Sequence, residues 1–212
     1  ATLRMSRPLS DLHKAWSGKE GKTMKKLSAF FYRISTGWVA LIGAVVFVVF
    51  SVLVLPVESA KVDAYSQGLG GPDTSLFYSG KMLLQMADVY GETGRAAFLK
   101  ARWGFDLAFP LIFTFFFITS ISFVFKKALA GSQTLPLLNL IPLLGCIFDL
   151  AENTATSVVM AAYPLRDTWG QFLAPVFTPI KWIFVSISMV LLGVGLLLWL
   201  RKGIIRRNTK KK

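Results

Sequence analysis

The sequence has almost none of the residues that proteins use most often for disulfides, haem ligation and structural metal sites. It contains one cysteine, Cys146, and one histidine, His13. A single cysteine excludes an intrachain disulfide framework, and one of each residue excludes a Cys/His metal cluster and haem held by two histidines. The catalytic patterns HExxH and GxSxG are also missing. We therefore predict no catalytic residue, no metal and no cofactor, and leave a bound lipid open.

Acidic residues are scarce as well. Eleven Asp and Glu face 24 Lys and Arg, which gives a formal net charge of +13. Most of the basic residues fall in 1–36, in a short link at 126–134, and in 201–212. A nucleic-acid partner is not predicted, because these charges lie in tails without a recognisable nucleic-acid-binding motif. Anionic lipid headgroups are the partner that such tails favour.

Apolar residues, by contrast, are abundant and occur in long runs. The chain is 54% hydrophobic with a mean hydropathy of +0.56. Four apolar stretches cover about 37–55, 103–125, 135–162 and 175–200, and Pro56 is expected to end the first. Each approaches or exceeds the roughly 20 residues that cross a ~30 Å hydrocarbon core, where only helices satisfy their own backbone. The sequence predicts an all-α polytopic membrane protein, a bundle of four transmembrane helices over 37–200.

The basic residues also predict the orientation. With four spans, the segment 1–36, the link 126–134 and the tail 201–212 share one side, which the positive-inside rule makes cytoplasmic. A plasma membrane, by default a bacterial inner membrane, is the expected location. The outer region 56–102 is predicted to hold a loop and an amphipathic helix. An amphipathic stretch around 27–34 favours either a helix in the headgroup region or a solvated extension of the first span.

The third apolar stretch carries polar residues at helical spacing. Asp149, Glu152, Asn153 and Thr156 follow the pattern i, i+3, i+4, i+7, so a helix presents them along one stripe. A carboxylate in hydrocarbon costs at least ~2.5–3.5 kcal/mol. The short link makes the second and third spans antiparallel neighbours, which brings basic residues of the second helix near this stripe. We predict that seven residues form one intramembrane polar cluster: Arg95, Arg102, Asp106, Asp149, Glu152, Asn153 and Thr156. Lys181 of the fourth span could join this cluster.

Two interpretations of this cluster stay open. In the first, it is a buried ion-pair and hydrogen-bond network that fixes the register of the helices. In the second, it surrounds a cavity where arginines hold a phosphate headgroup, or where Asp149 and Glu152 bind a cation or relay protons. An acid/base pair formed by those two carboxylates would belong to a lipid-modifying enzyme.

Three motifs carry a resemblance to other proteins. They are Tyr90-Gly91-x-x-Gly94-Arg95, Asp106-x-x-x-Pro110 and Asp149-x-x-Glu152-Asn153. Together, over roughly residues 75–160, they resemble a loosely defined set of small four-helix integral membrane proteins without an assigned reaction or ligand. The resemblance implies that these helices meet, and it implies no function.

These observations lead to one functional expectation with alternatives. We expect a non-enzymatic integral membrane protein, an accessory or assembly subunit or a lipid-binding component of a membrane complex. Its expected partners are membrane lipids and either other membrane subunits or further copies of itself. The alternatives are a component of an ion or proton channel or of a transporter, and a lipid-headgroup enzyme.

Overall fold

The structure, a computed structural model, describes residues 9–72, 75–129, 135 and 137–209. Side chains are described for 21–72, 75–129, 135 and 137–205. Part of the basic termini, including Arg4, Arg7 and residues 210–212, therefore lies outside the described residues. Within the described ranges, every regular element is a helix.

Seven of these elements are α-helices. They are α1 (Leu9–Ile34), α2 (Gly37–Val49), α3 (Leu55–Ser66), α4 (Gly80–Arg102), α5 (Phe105–Ala128), α6 (Ile141–Ala162) and α7 (Trp169–Thr209). A π-helical turn joins α2 to α3, and a 3₁₀ turn leads into α6. Four continuous helical stretches are long and apolar enough to cross a membrane: Gly37–Ser66, Gly80–Ala128, Leu138–Ala162 and Trp169–Ile205. The predictions of an all-α chain and of four apolar helices of membrane-spanning length are confirmed.

The first apolar helix does not end at Pro56, so that prediction is wrong. Pro56 lies in the first turn of α3, directly after the π-helical turn Phe50–Val54. Proline is tolerated in the first turn of a helix, where its missing N–H is not needed. The helix therefore continues from Gly37 to Ser66, well into the predicted outer region.

α4 contains a kink at Gly91, within the region 56–102 that the sequence predicts to be outside the membrane. Gly91 has φ 63° and ψ −177°, a conformation that residues with a Cβ atom disfavour. On the near side of the kink, the Tyr90 ring packs edge-on against Tyr65 of α3, with 4.8 Å between ring centroids. The Tyr90 hydroxyl donates to the carbonyl oxygen of Gly70 at 2.5 Å. These contacts hold the loop between α3 and α4 against the kinked helix.

α7 packs most extensively on α6 and also contacts α5 and α4. α2 packs on α5 through aromatic rings, with Phe47 stacked on Phe116 at 4.7 Å between centroids. Ala40 and Gly43 of α2 are also buried, but most of its other side chains are exposed, and Trp38 has 76% of its surface accessible. An apolar surface of this kind is what a lipid-facing or partner-facing helix presents.

α1 is attached to the beginning of α6 through buried polar side chains. The Ser28 hydroxyl donates to Asn139 Oδ1 at 2.6 Å, and Asn139 Nδ2 donates to Ser122 Oγ of α5 at 2.9 Å. All three side chains are almost fully buried. Because a buried amide needs such partners, these hydrogen bonds fix where α1 meets α5 and α6.

The last turn of α1 has a second attachment. Lys126 Nζ of α5 donates to the carbonyl oxygens of Tyr32 and Ser35 at 2.9 and 2.8 Å. A cation at the carbonyl end of a helix satisfies acceptors that have no partner within the helix and complements the helix dipole. The Tyr32 hydroxyl donates to the Leu135 carbonyl at 3.2 Å, and burial raises the pKa of Tyr32 to about 12.

The closest approach between α6 and α7 requires a glycine. A Cβ atom added to Gly170 would lie 2.1 Å from the carbonyl oxygen of Ala155, so α7 would have to move. At Gly193, further along α7, an added Cβ meets no atom within 4 Å. The two positions therefore provide a matched pair of substitutions in one helix.

We expect Gly170→Ala to lower the free energy of unfolding by about 1–3 kcal/mol, because overpacking forces the helices apart. Gly193→Ala should leave it unchanged or slightly raised. Reaction of a thiol dye with Cys146, a buried cysteine, reports unfolding during a thermal ramp in detergent. Equal unfolding midpoints for the two variants would contradict the close approach.

Candidate functional site

The polar stripe of α6 faces the protein interior. Asp149, Glu152, Asn153 and Thr156 are all buried, and Glu152 has 0% of its surface accessible. Their helical spacing puts them on one face, where they meet side chains from α4 and α7. The predicted alignment of these four residues is thus found in the structure.

Lys181 of α7 lies between the two carboxylates of α6. Its Nζ is 3.2 Å from Asp149 Oδ1 and also forms an ion pair with Glu152 Oε2. The lysine is 4% exposed. On α7 it follows Ala174 and Thr178 at helical spacing, and both of those residues are fully buried. The small residues of this face let α7 approach α6 closely enough for the ammonium group to reach both acids.

A second ion pair lies where α4 meets α5. Arg102, almost fully buried, pairs with Asp106 across the short break between these helices. Its Nη1 also donates to Asn153 Oδ1 at 3.1 Å, and its guanidinium carbon lies 4.5 Å from the centre of the Phe98 ring. Asn153 Nδ2 donates to Asp149 Oδ2 at 3.5 Å. Asn153 therefore connects the two ion pairs into one network.

The network also includes two hydroxyl groups that sequence reasoning missed. Tyr78 donates to Glu152 Oε1 at 3.5 Å, which is a long hydrogen bond, and Thr178 Oγ1 lies 3.1 Å from the Tyr78 hydroxyl. Tyr78 precedes α4 in an irregular segment, so helical periodicity gives no signal for its position. Thr178 could have been found, because it lies one turn before Lys181 on α7.

Two of the predicted residues do not contribute side-chain contacts to the network. Thr156 is buried on the stripe, but its hydroxyl donates to the backbone carbonyls of Glu152 and Asn153 at 2.9 and 3.2 Å. Such back-bonding satisfies the hydroxyl within its own helix. Arg95 donates to the Ala87 carbonyl at 2.8 Å and lies over the Tyr163 ring at 4.6 Å.

Arg95 thus belongs to a separate contact at the end of α6. There the Tyr163 hydroxyl donates to the Asp88 carboxylate, and this hydrogen bond raises the pKa of the Tyr163 phenol. The sequence places Arg95 on the same face of α4 as Arg102, but two turns separate them. Arg95 therefore lies on the predicted face of α4 but too far along the helix to reach the network.

The network suits a structural role. Each of its three carboxylates, Asp106, Asp149 and Glu152, contacts a cation, and each cation contacts at least one carboxylate. It joins α4, α5, α6 and α7 through side chains that are costly to bury alone. In the part of the chain that the structure describes, no group of three or more His, Cys, Asp and Glu side chains could hold a metal ion.

Fold and site together define an all-helical protein with four helices of membrane-spanning length and a buried charged network between them. Searches with this chain against protein-family models, curated proteins and solved structures find no match. The resemblance carried by the three sequence motifs therefore stays a prediction.

We expect Lys181→Met to lower the free energy of unfolding by about 3–5 kcal/mol, because it leaves two buried carboxylates without their cation. Replacing Lys181, Asp149 and Glu152 together by Met, Leu and Met should recover most of that loss. The reaction of Cys146 with a thiol dye again gives the unfolding midpoint.

Lys61→Met provides the control. Lys61 is 62% exposed and pairs with Glu58 on the surface of α3. An exposed pair of this kind contributes about 0.2–1 kcal/mol. If the two lysine variants shift the midpoint equally, the buried network does not carry the stability assigned to it.

Proposed function

We propose that the chain is a non-enzymatic integral membrane protein whose four apolar helices form one transmembrane bundle. In this proposal it acts as an accessory or assembly subunit, or as a lipid-binding component, of a membrane complex. The observation that carries the proposal is the pairing of Lys181 with Asp149 and Glu152. Each of these charges already has an oppositely charged contact, which suits a scaffold better than a site awaiting substrate.

The orientation is part of the same proposal. Both termini face the cytoplasm, and the membrane is by default a bacterial inner membrane. Support comes from the end of α5 on which both α1 and α7 pack, since the described charged side chains of α1 and of the last turns of α5 and α7 are basic. The positive-inside rule assigns such an end to the cytoplasmic side.

The exposed surface of α2 supports the subunit role. Large apolar side chains such as Trp38, Leu41 and Val45 are more than half exposed along this helix. Lipid tails satisfy such a surface, and so does a helix of another subunit or of a second copy. We assign the partner contact to α2 because little of it is covered within the chain.

Native mass spectrometry after extraction in a mild detergent tests the subunit role. We expect the chain to be released together with another membrane subunit or with further copies of itself. Val45→Trp, on the exposed surface of α2, should reduce the complex at least tenfold, whereas Leu197→Trp, on the exposed surface of α7, should not. Recovery of a partner-free monomer alone from the wild type would overturn the proposal.

A proton or ion pathway is the second candidate, and one specific observation favours it. Polar contacts run without a gap from Thr178 and Tyr78 through Glu152, Lys181 and Asp149. Asn153, Arg102 and Asp106 continue them towards α5. Intramembrane chains of this type occur in proton relays. A lipid-headgroup enzyme has less support, because Arg102 is already engaged by Asp106 and Asn153.

Proton flux into liposomes that hold the full chain and a pH-sensitive dye distinguishes these candidates. If the network is only structural, Asp149→Asn and Glu152→Gln lower thermal stability. The proton flux of the wild type and of both variants then equals that of empty liposomes. If it is a pathway, wild-type flux exceeds that of empty liposomes and either substitution abolishes the excess. Glu58→Gln, which removes a partly exposed carboxylate of α3, is the control that should leave flux unchanged and lower stability by no more than about 1 kcal/mol.

A further inference from the structure

We propose that the surface formed by α1, the end of α5 and the end of α7 binds the headgroups of anionic phospholipids, with α1 lying in the membrane interface. We call this surface the cationic end and define it by six exposed side chains: Lys22, Lys25, Lys26, Arg33, Lys127 and Arg201. The inference rests on the proposed membrane-spanning arrangement and adds to it a ligand and the residues that bind it.

The charged side chains that the structure describes at this end are all basic. Among the described side chains, no acid lies in α1 from residue 21 onward, in the second half of α5, in the first turn of α6 or at the end of α7. The described acids lie in α3, α4, the start of α5, the later part of α6 and the loop before α7. The opposite end carries both signs, with Lys61, Lys81, Lys100 and Arg166 among the acids. Among the side chains that the structure describes, those at the cationic end are therefore all basic, whereas the opposite end presents both signs.

α1 has three distinct sides around its axis. Ser28 and Tyr32 are buried against the rest of the protein. At 100° per residue, the four basic residues at 22, 25, 26 and 33 fall on one flank of that docked side, and Leu27, Phe30, Phe31 and Ile34 fall on the other. Phe30 is 45% exposed. A helix with a basic flank and an apolar flank is typical of one that lies in the headgroup region.

The docked side keeps this helix in place. Ser28 is held by Asn139, and Lys126 holds the carbonyl groups of Tyr32 and Ser35. The basic flank is therefore oriented before any lipid binds. Preorganisation of this kind reduces the entropy that binding would otherwise cost.

Aromatic side chains mark the same level on the transmembrane helices. Trp199 of α7 packs edge-on against Phe123 of α5, with 5.4 Å between ring centroids. Lys127 Nζ lies 5.8 Å from the centre of the Phe123 ring, and Lys202 Nζ donates to the Lys127 carbonyl at 2.8 Å. Tryptophan beside lysine and arginine is the usual composition at the boundary between acyl chains and headgroups. Lys127 and Arg201 thus lie where phosphate groups would be.

The occupant that fits both flanks is a lipid. A free phosphate would use the positive charge but would leave Phe30 and its apolar neighbours without a role. An anionic phospholipid supplies a negative headgroup and acyl chains together. Each basic residue near such a surface changes binding by about fivefold.

The test uses the full chain in phosphatidylcholine nanodiscs that contain a small fraction of spin-labelled phosphatidylglycerol or spin-labelled phosphatidylcholine. The immobilised fraction of the label gives the preference for the anionic lipid. We expect the wild type to prefer phosphatidylglycerol at least fivefold, and the quadruple variant K22Q/K25Q/K26Q/R33Q to lose most of that preference. The control K61Q/K81Q/K100Q/R166Q removes the same charge from the opposite end and should retain the preference.

Each result has a defined meaning. Equal preferences in the two quadruple variants would overturn the cationic end as the site, since net charge alone would then explain the binding. Inorganic phosphate and sodium chloride at equal ionic strength should weaken the preference equally, and a stronger effect of phosphate would overturn the lipid assignment in favour of free phosphate. Incorporation without any preference overturns this inference alone, whereas failure to incorporate overturns the membrane placement as well.

Discussion

The buried ion pairs of Lys181 are the interaction on which the arrangement of α6 and α7 depends. A lysine and two carboxylates are each expensive to bury, and their cost is offset only while the ammonium group contacts both acids. Rotating α7 by one residue would turn Lys181 away by about 100° and break both of its ion pairs with the buried carboxylates. Gly170 lies eleven residues before Lys181, three helical turns, so the glycine that permits close approach shares a face with the lysine. Close packing and charge pairing therefore select the same register.

The ion pair formed by Arg102 and Asp106 stabilises a different part of the structure, the junction between α4 and α5. These residues flank the break at Trp103 and Gly104, where the backbone hydrogen bonds of α4 stop and those of α5 begin. A break within a membrane-length stretch exposes backbone groups that need polar partners. The side-chain pair spans this break, and Asn153 ties it to α6. The direction in which α5 leaves α4 is thus coupled to the position of α6.

Much of this architecture could be predicted from the sequence, because hydrophobic length and helical spacing are local properties. The alignment of Asp149, Glu152, Asn153 and Thr156 could be predicted from the helical repeat of 3.6 residues alone. The possible contribution of Lys181 could be predicted from its position near the start of the fourth apolar stretch. Tyr78 could not be predicted, since its contact with Glu152 depends on the path of an irregular loop. Arg95 shares a face of α4 with Arg102, but about 10 Å of helix separates the two residues, so the pairing of neighbouring spans could not fix which of them reaches the network. The continuation past Pro56 depends on a π-helical turn, which has no clear sequence signal.

α2 stands apart from the helices that the charged network joins. Within the described residues, no side-chain hydrogen bond or ion pair links α2 to another helix, and its contact with α5 is made by apolar packing that includes stacked rings such as Phe47 on Phe116. Between helices in lipid there is little hydrophobic driving force, so packing alone must hold α2 in place. A partner helix with similar aromatic packing would therefore compete with lipid for the other faces of α2 at little cost. The charged network and the exposed apolar surface of α2 therefore lie on different helices, as the proposed subunit role would require.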